Sequence, residues 1–198
     1  QLKSNIASFR ISIVESDIPH NYQVTIGELS FDLRKSIVNS MNLINHSKMV
    51  DFAQLLIRYS TLGISGSFFW SINRRMVLEL LKEPTDRGVP SLECFASPFN
   101  HNVNNYCSPF AEDYIYGSKG DFFSYIEDLR KNRVSSVFFL FNPPYTHNLI
   151  DRSAELIKNY INDYPDCLLI SMLPTMMKCD GIKKLQSIDG SATEVFEA

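Results

Sequence analysis

Val134-Ser135-Ser136-Val137-Phe138-Phe139-Leu140-Phe141 runs straight into Asn142-Pro143-Pro144-Tyr145. The first eight residues are too apolar to alternate between a wet and a dry face. They read as a strand buried on both faces, the habit of parallel sheets covered by helices. Polar groups just beyond such a strand lie at its carboxyl end, where open α/β sheets bind ligands. An Asn amide, backbone carbonyls fixed by two prolines and an aromatic ring at that spot suit an exocyclic amino group on a planar base. Pro-Pro turns also simply end strands, with the Tyr packed inward, and the tetrapeptide alone leaves both readings open.

Working outward, the same alternation of strands and helices recurs. His147 to Ile161 is amphipathic, with Leu149, Ile150, Ala154, Ile157 and Ile161 on one face, and Cys167 to Leu173 reads as another buried strand. Upstream, Phe122 to Asn132 is a helix or a long insert, Tyr114 to Gly120 a loop, and Asn105 to Phe110 and Ser91 to Ala96 are strands. Strands separated by helices imply a parallel α/β sheet. Lys82 to Pro90, rich in charge, Pro and Gly, reads as a linker. Before it, helices are expected over Ser71 to Leu81 and over Ser47 to Thr61, the latter meeting Gly63. Leu29, Leu33, Ile37, Met41 and Ile44 also recur at helical spacing, with Ser30 as N-cap, after two short strands at Phe9 to Val14 and Tyr22 to Ile26. The boundary is expected near the linker: residues 1–85 form an N-terminal helical region with short strands, and residues 86–198 the α/β core.

The composition fits this. The 198 residues are 44% hydrophobic and 12% aromatic, enough for a core. No apolar run approaches the ~20 residues that cross a bilayer, so no membrane partner is expected. The first residues lack a signal-peptide pattern and an initiator Met, as expected of a fragment. Net charge is -3 and the isoelectric point about 5.8, which argues against broad nonspecific nucleic-acid binding. A local basic rim of Arg74, Arg75, Arg130, Lys131 and Arg133 is compatible with that charge, as is an ordinary solvated face. Cys94, Cys107, Cys167 and Cys179 form no CxxC pair and, with four His, no zinc pattern. They read as buried thiols in a reducing compartment.

Three further strand ends carry candidate residues. Glu93-Cys94-Phe95-Ala96-Ser97-Pro98-Phe99-Asn100 is a small-residue turn that lets backbone approach a ligand, or a plain strand-to-loop turn; it has no GxGxxG. Asp113, ahead of Gly117-Ser118-Lys119-Gly120, is placed to accept ribose hydroxyls, or is a turn residue. Asp121 suits a purine amino group, with Phe122 on the ring, but it is equally the N-cap of a helix starting at Phe122. At the fourth end, the Asn142 side-chain oxygen and the Pro143 carbonyl can accept both hydrogens of an aromatic amine. That orients the nitrogen lone pair toward an electrophilic methyl group while Tyr145 stacks on the base. Pro143 and Pro144 fix the acceptors before substrate arrives. No strong general base is needed, and His147 nearby has no assigned role. Trp70 and the Phe68-Phe69 pair read as core anchors.

Taken together, these segments resemble one family. Leu55 to Gly63 is similar to its helix ending Tyr-Ser-x-Leu-Gly, and Glu93 to Asn100 to its Glu-Cys-Phe-Ala-Ser-Pro-Leu-Asn strand. Tyr106-Cys107-Ser108-Pro109-Phe110 is similar to Tyr-Cys-Ser-x-Phe, Asp113 to Gly120 to Asp-x-x-Phe-Gly-Ser-Arg-Gly, and Asn142 to Tyr145 to Asn-Pro-Pro-Phe. The family is the cap-specific adenosine N6-methyltransferases of the phosphorylated-CTD-interacting-factor type. The resemblance spans roughly residues 55 to 173. It picks out neither the family's WW module nor its Pro-Glu-Trp, where Leu173 leads into Pro174-Thr175-Met176, and the chain stops near Ala198, before the last strands of such a core.

The resemblance implies a Rossmann-like class I S-adenosylmethionine methyltransferase core beside a helical region. It implies methyl transfer from S-adenosyl-L-methionine to N6 of adenosine in RNA, next to an mRNA cap, in the nucleus or the cytoplasm. Glu93, Ala96, Ser97 and Pro98 would surround the methionine part of the cofactor, Asp113 its ribose, and Asp121 with Phe122 its adenine. Asn142, Pro143, Pro144 and Tyr145 would hold the target base, and no metal is expected. RNA is the expected partner, with a protein partner to complete or regulate the core. The alternatives are a catalytically inactive methyltransferase-like scaffold and a DNA adenine N6-methyltransferase.

Overall fold

Gly27, at φ 60°, turns β2 (Asn21–Ile26) back into β3 (Leu29–Arg34) within two residues. A glycine at the first central position of a two-residue hairpin costs nothing at positive φ. With β1 (Ile11–Glu15) the strands form an antiparallel sheet in the order β1-β2-β3, with Ile13 opposite Val24 and Val24 opposite Phe31. The apolar positions recur every second residue, so one face is dry: Val24, Ile26 and Leu33 are buried. The computed structural model describes residues 10–41, 46–62, 74–174 and 177–190. By contacts the chain divides into two units, Gln1–Ser67 and Phe68–Ala198. The first holds this sheet, α1 (Lys35–Ser40) and α2 (His46–Ser60), which buries Phe52, Leu55, Leu56 and Tyr59 along one stripe.

One correction concerns this unit. The helix expected from Leu29, capped by Ser30, is strand β3 up to Arg34, and helix begins only at Lys35. Leu29, Leu33 and Ile37 fit a period of 3.6, but Leu29, Phe31 and Leu33 fit a period of 2 equally, and the Gly27 turn decides. Phe9, Ile44 and Gly63 lie outside the described residues, as do Phe68, Phe69, Trp70 and Ser71.

The second unit begins with α3 (Arg74–Leu80) and α4 (Lys82–Asp86). The expected linker thus opens with a helical turn, and α3, expected in the N-terminal region, groups with it in the second unit. Pro84 is tolerated in α4 because, at its third residue, it removes only an N–H that has no partner within the helix. Three parallel strands follow: β4 (Ser91–Glu93), β5 (Phe138–Phe141) and β6 (Leu168–Ser171), in the order β4-β5-β6. Leu92 pairs with Phe139 and Phe139 with Leu169.

Every residue of β5 is buried, and the pleat sends alternate residues to opposite layers. Phe138 and Leu140 pack with Val77 of α3 and with Leu81, which joins α3 to α4. Phe139 and Phe141 pack with Ile126 and Leu129 of α5 (Phe122–Lys131), Ala154, Ile157 and Tyr160 of α6 (His147–Asp163), and Leu185 of α7 (Asp180–Gln186). The strand is only four residues long; Val134 to Val137 lead into it. The strand expected at Asn105 to Phe110 reduces to isolated parallel bridges, Glu93 with Tyr106 and Tyr106 with Ser118. The loop expected from Tyr114 contains a 3-10 helix, Ala111–Tyr116. All four cysteines are buried and unpaired.

Candidate functional site

The bridges at Tyr106 carry the parallel sheet two segments past β4, so the carboxyl ends of four neighbouring segments line one edge. Cys107 N–H donates to Glu93 O at 2.9 Å, Lys119 N–H to Tyr106 O at 2.8 Å, and Ser108 N–H to Gly120 O at 3.0 Å. On the other side Cys94 N–H donates to Leu140 O at 2.9 Å. This ladder puts the turns after Glu93, after Ser108, after Gly120 and after Phe141 side by side. Asp113, outside these bonds, is buried in the 3-10 helix that returns the chain from Ser108 to Ser118.

Glu93 is 2% exposed. Asn102 clasps it, donating its backbone N–H to Oε2 at 2.6 Å and its Nδ2 to Oε1 at 3.3 Å. Burial pushes the carboxyl above the usual glutamate range, and the Asn102 bonds partly oppose that. Ser97, also 2% exposed, is tied to Asn100: its backbone N–H donates to Oδ1 at 2.7 Å and its Oγ lies 2.9 Å from the same atom. Ala96 is half-buried and Pro98 buried beside it. Asn102 was not singled out in the sequence, and Asn100 only as the end of the Glu93–Asn100 turn, although Asn-rich turns commonly bond their own backbone. His101, between them, stacks on Tyr106 with centroids 4.3 Å apart.

Asp121 caps α5, its Oδ1 accepting Ser124 N–H at 3.0 Å; a bond from the Ser124 side chain is the first cause of its lowered pKa, and this backbone bond adds to it. The carboxylate remains exposed. Phe122 turns inward, 2% exposed, its ring 5.1 Å from that of Phe95. Its neighbour Phe123 is the half-exposed ring at this corner.

On the last turn, Pro143 is buried while Pro144 and Tyr145 face solvent. The Tyr145 hydroxyl donates to Asn142 Oδ1 at 3.4 Å, a long bond that leaves the amide oxygen open to a shorter one. Tyr145 is 57% exposed, so its ring is a surface platform and not a core side chain. The turn therefore presents an amide acceptor, a rigid backbone and a flat ring together. Of the basic rim, Arg130 pairs with Glu127 and Asp163 and Lys131 with Asp128; Arg75 and Arg133 are exposed. These pairs are those of a solvated face. Among the described residues no cluster of His, Cys, Asp and Glu suits a metal, and no helix is long and apolar enough to cross a membrane.

A groove of about 610 Å³ lies among α5, α6 and α7, not at this edge itself. Of the two places, the edge carries the chemistry that the sequence singled out, since the acceptors converge there.

No curated protein sequence matches the chain. One family model does, over residues 35–194. The match starts where the antiparallel sheet has just ended at Arg34, and it takes in both the parallel sheet and the turn at Asn142. Covering most of its length, that match makes the chain a member of the family described as the phosphorylated CTD interacting factor 1 WW domain.

Proposed function

We propose that this chain transfers a methyl group to N6 of adenosine in RNA, at the cap-adjacent nucleotide of mRNA. The observation that carries the reading is the turn at the end of β5, where Asn142 Oδ1 stays open and the Tyr145 ring is exposed. Asn142 Oδ1 and the Pro143 carbonyl accept the two amino hydrogens, and Tyr145 stacks the base. The amine is thereby held with its lone pair directed and with no base required to remove a proton first.

S-adenosyl-L-methionine supplies an electrophilic methyl group when bound. The donor set fits it in kind. The Glu93 carboxylate takes two bonds from Asn102 and one from the Val103 backbone, which leaves about one of its four acceptor positions for an ammonium group. Glu93, Ala96, Ser97 and Pro98 would hold the methionine part and Asp113 the ribose. Asp121 would meet the adenine, with Phe122 behind it as support. These residues belong to a Rossmann-like class I core in this reading.

A second reading, a non-catalytic module with the same pocket, draws on how fully the edge satisfies itself. Asn102 closes Glu93, Asn100 closes Ser97, and Asp121 caps a helix. The family's description names a phosphorylated CTD, and we carry that to this chain as its protein partner, with the nucleus as its place of action.

The test is transfer of labelled methyl groups to capped RNA, uncapped RNA and DNA oligonucleotides. Transfer to capped RNA is expected to exceed the other two. Asn142→Ala should cut it by about 100-fold or more, as loss of a single positioned polar group does, with an unchanged circular-dichroism spectrum. Full activity in that variant refutes the role of Asn142. Calorimetry that shows no cofactor binding, together with no transfer, leaves the scaffold reading standing.

A further inference from the structure

The groove among α5, α6 and α7 begins one helical turn from Tyr145. Asn148, Asp151, Arg152 and Glu155 line it from α6 at positions i, i+3, i+4 and i+7, so they form one stripe running away from the turn at Asn142. Phe123 lines it from α5.

Its charges are not equivalent. Glu155 pairs with Lys184 at 2.7 Å, Glu127 pairs with Arg130 at 3.2 Å, and the Asp151 carboxylate accepts the Gly181 N–H. Each carboxylate of the groove thus has a partner. Arg152 pairs with none of these: its charge acts on Asp121 at the head of α5, its guanidinium carbon lies 3.9 Å from the centroid of the Phe123 ring, and the side chain is exposed. An arginine laid over an aromatic ring, with its outer face in solvent, is a flat cationic platform. Nucleobases stack on such guanidinium planes in single-stranded RNA recognition.

We infer that this groove is a second nucleotide subsite, in which Arg152, backed by Phe123, stacks a base of single-stranded RNA beside the adenosine held at Asn142 and Tyr145. The inference rests on the RNA reading of the site and adds a position for the flanking nucleotide. The volume, about 610 Å³, is of the size that takes a nucleotide. Asn148, between Tyr145 and Arg152 along the stripe, offers an amide to the sugar or the base edge.

The test measures binding of a short fluorescein-labelled single-stranded RNA to the full chain by anisotropy, apart from any methyl transfer. Arg152→Ala is expected to weaken binding about tenfold, the scale of one lost stack, and Arg152→Lys to recover only part of it, because an ammonium has no plane. Circular dichroism checks that both variants fold. Equal affinity of wild type and Arg152→Ala overturns the subsite and points to a protein occupant of the groove. A wild-type chain that binds no RNA overturns it as well. Arginine-dependent binding without methyl transfer supports the subsite while it refutes the catalytic reading.

Discussion

Arg133 stands where helix ends favour glycine. At φ 51° it is in the left-handed region, two residues past the end of α5. Val134 N–H donates to Leu129 O at 3.1 Å and Arg133 N–H to Arg130 O at 3.0 Å, the paired bonds of a Schellman motif. Val134 packs on the same core as Leu129, so the motif is held and the backbone at Arg133 bears its cost. Arg133→Gly should stabilise the chain by about 1 kcal/mol, less the extra entropy of an unfolded glycine. Urea unfolding of the two proteins checks it, and a loss of stability contradicts the assignment. Glu93 gives a second prediction. Its folded-state pKa is raised, so the folded chain holds this proton more tightly than the unfolded one does. Such a group favours folding increasingly as the pH drops through its folded value. Wild type should therefore gain stability relative to Glu93→Gln as the pH falls from neutrality toward the ordinary glutamate range, and a difference flat with pH in paired urea titrations argues against it.

Between elements, α7 packs closely on α6. A Cβ built on Gly181 would lie 2.8 Å from Ile150 O and 2.9 Å from the Asp151 backbone N and Cα. Backbone does not yield as a side-chain tip does, so the small helical gain from alanine is outweighed. Gly181→Ala should destabilise by about 1–3 kcal/mol, measurable as a lower urea midpoint; an unchanged midpoint would falsify the close approach. No sequence pattern announces this contact, because α6 and α7 are brought together by tertiary folding. The same distinction separates what could be read in the sequence from what could not. Phe138 to Phe141 was legible because four consecutive large apolar residues can be dry only between two layers. The place of Asn142 and Tyr145, just beyond the carboxyl end of β5, was legible because the strand fixes where the next residues lie. Leu29 to Arg34 was not, since its apolar residues satisfy two periods at once. Asn102 escaped because its importance lies in a partner nine residues away, and the Arg152–Phe123 stack because it joins two helices 29 residues apart.

At the scale of the whole molecule, electrostatics decide how RNA can be held. The net charge is -3, and Arg130 and Lys131 are engaged with Glu127, Asp163 and Asp128. The described residues present no broad cationic stripe with which to neutralise a phosphate backbone, so on the proposed RNA reading affinity has to come from stacked bases at Tyr145 and Arg152. Each phosphate contact on a single strand contributes about -0.7 to the slope of log affinity against log salt. With two or three contacts the slope should be about -1.5 to -2. Titrating labelled single-stranded RNA at several salt concentrations measures it directly. A slope steeper than about -4 would require some six phosphate contacts and a basic surface that the described residues do not present. A shallow slope together with the loss in Arg152→Ala would place the binding energy in the bases, as the proposed grip on one adenine and its neighbour requires.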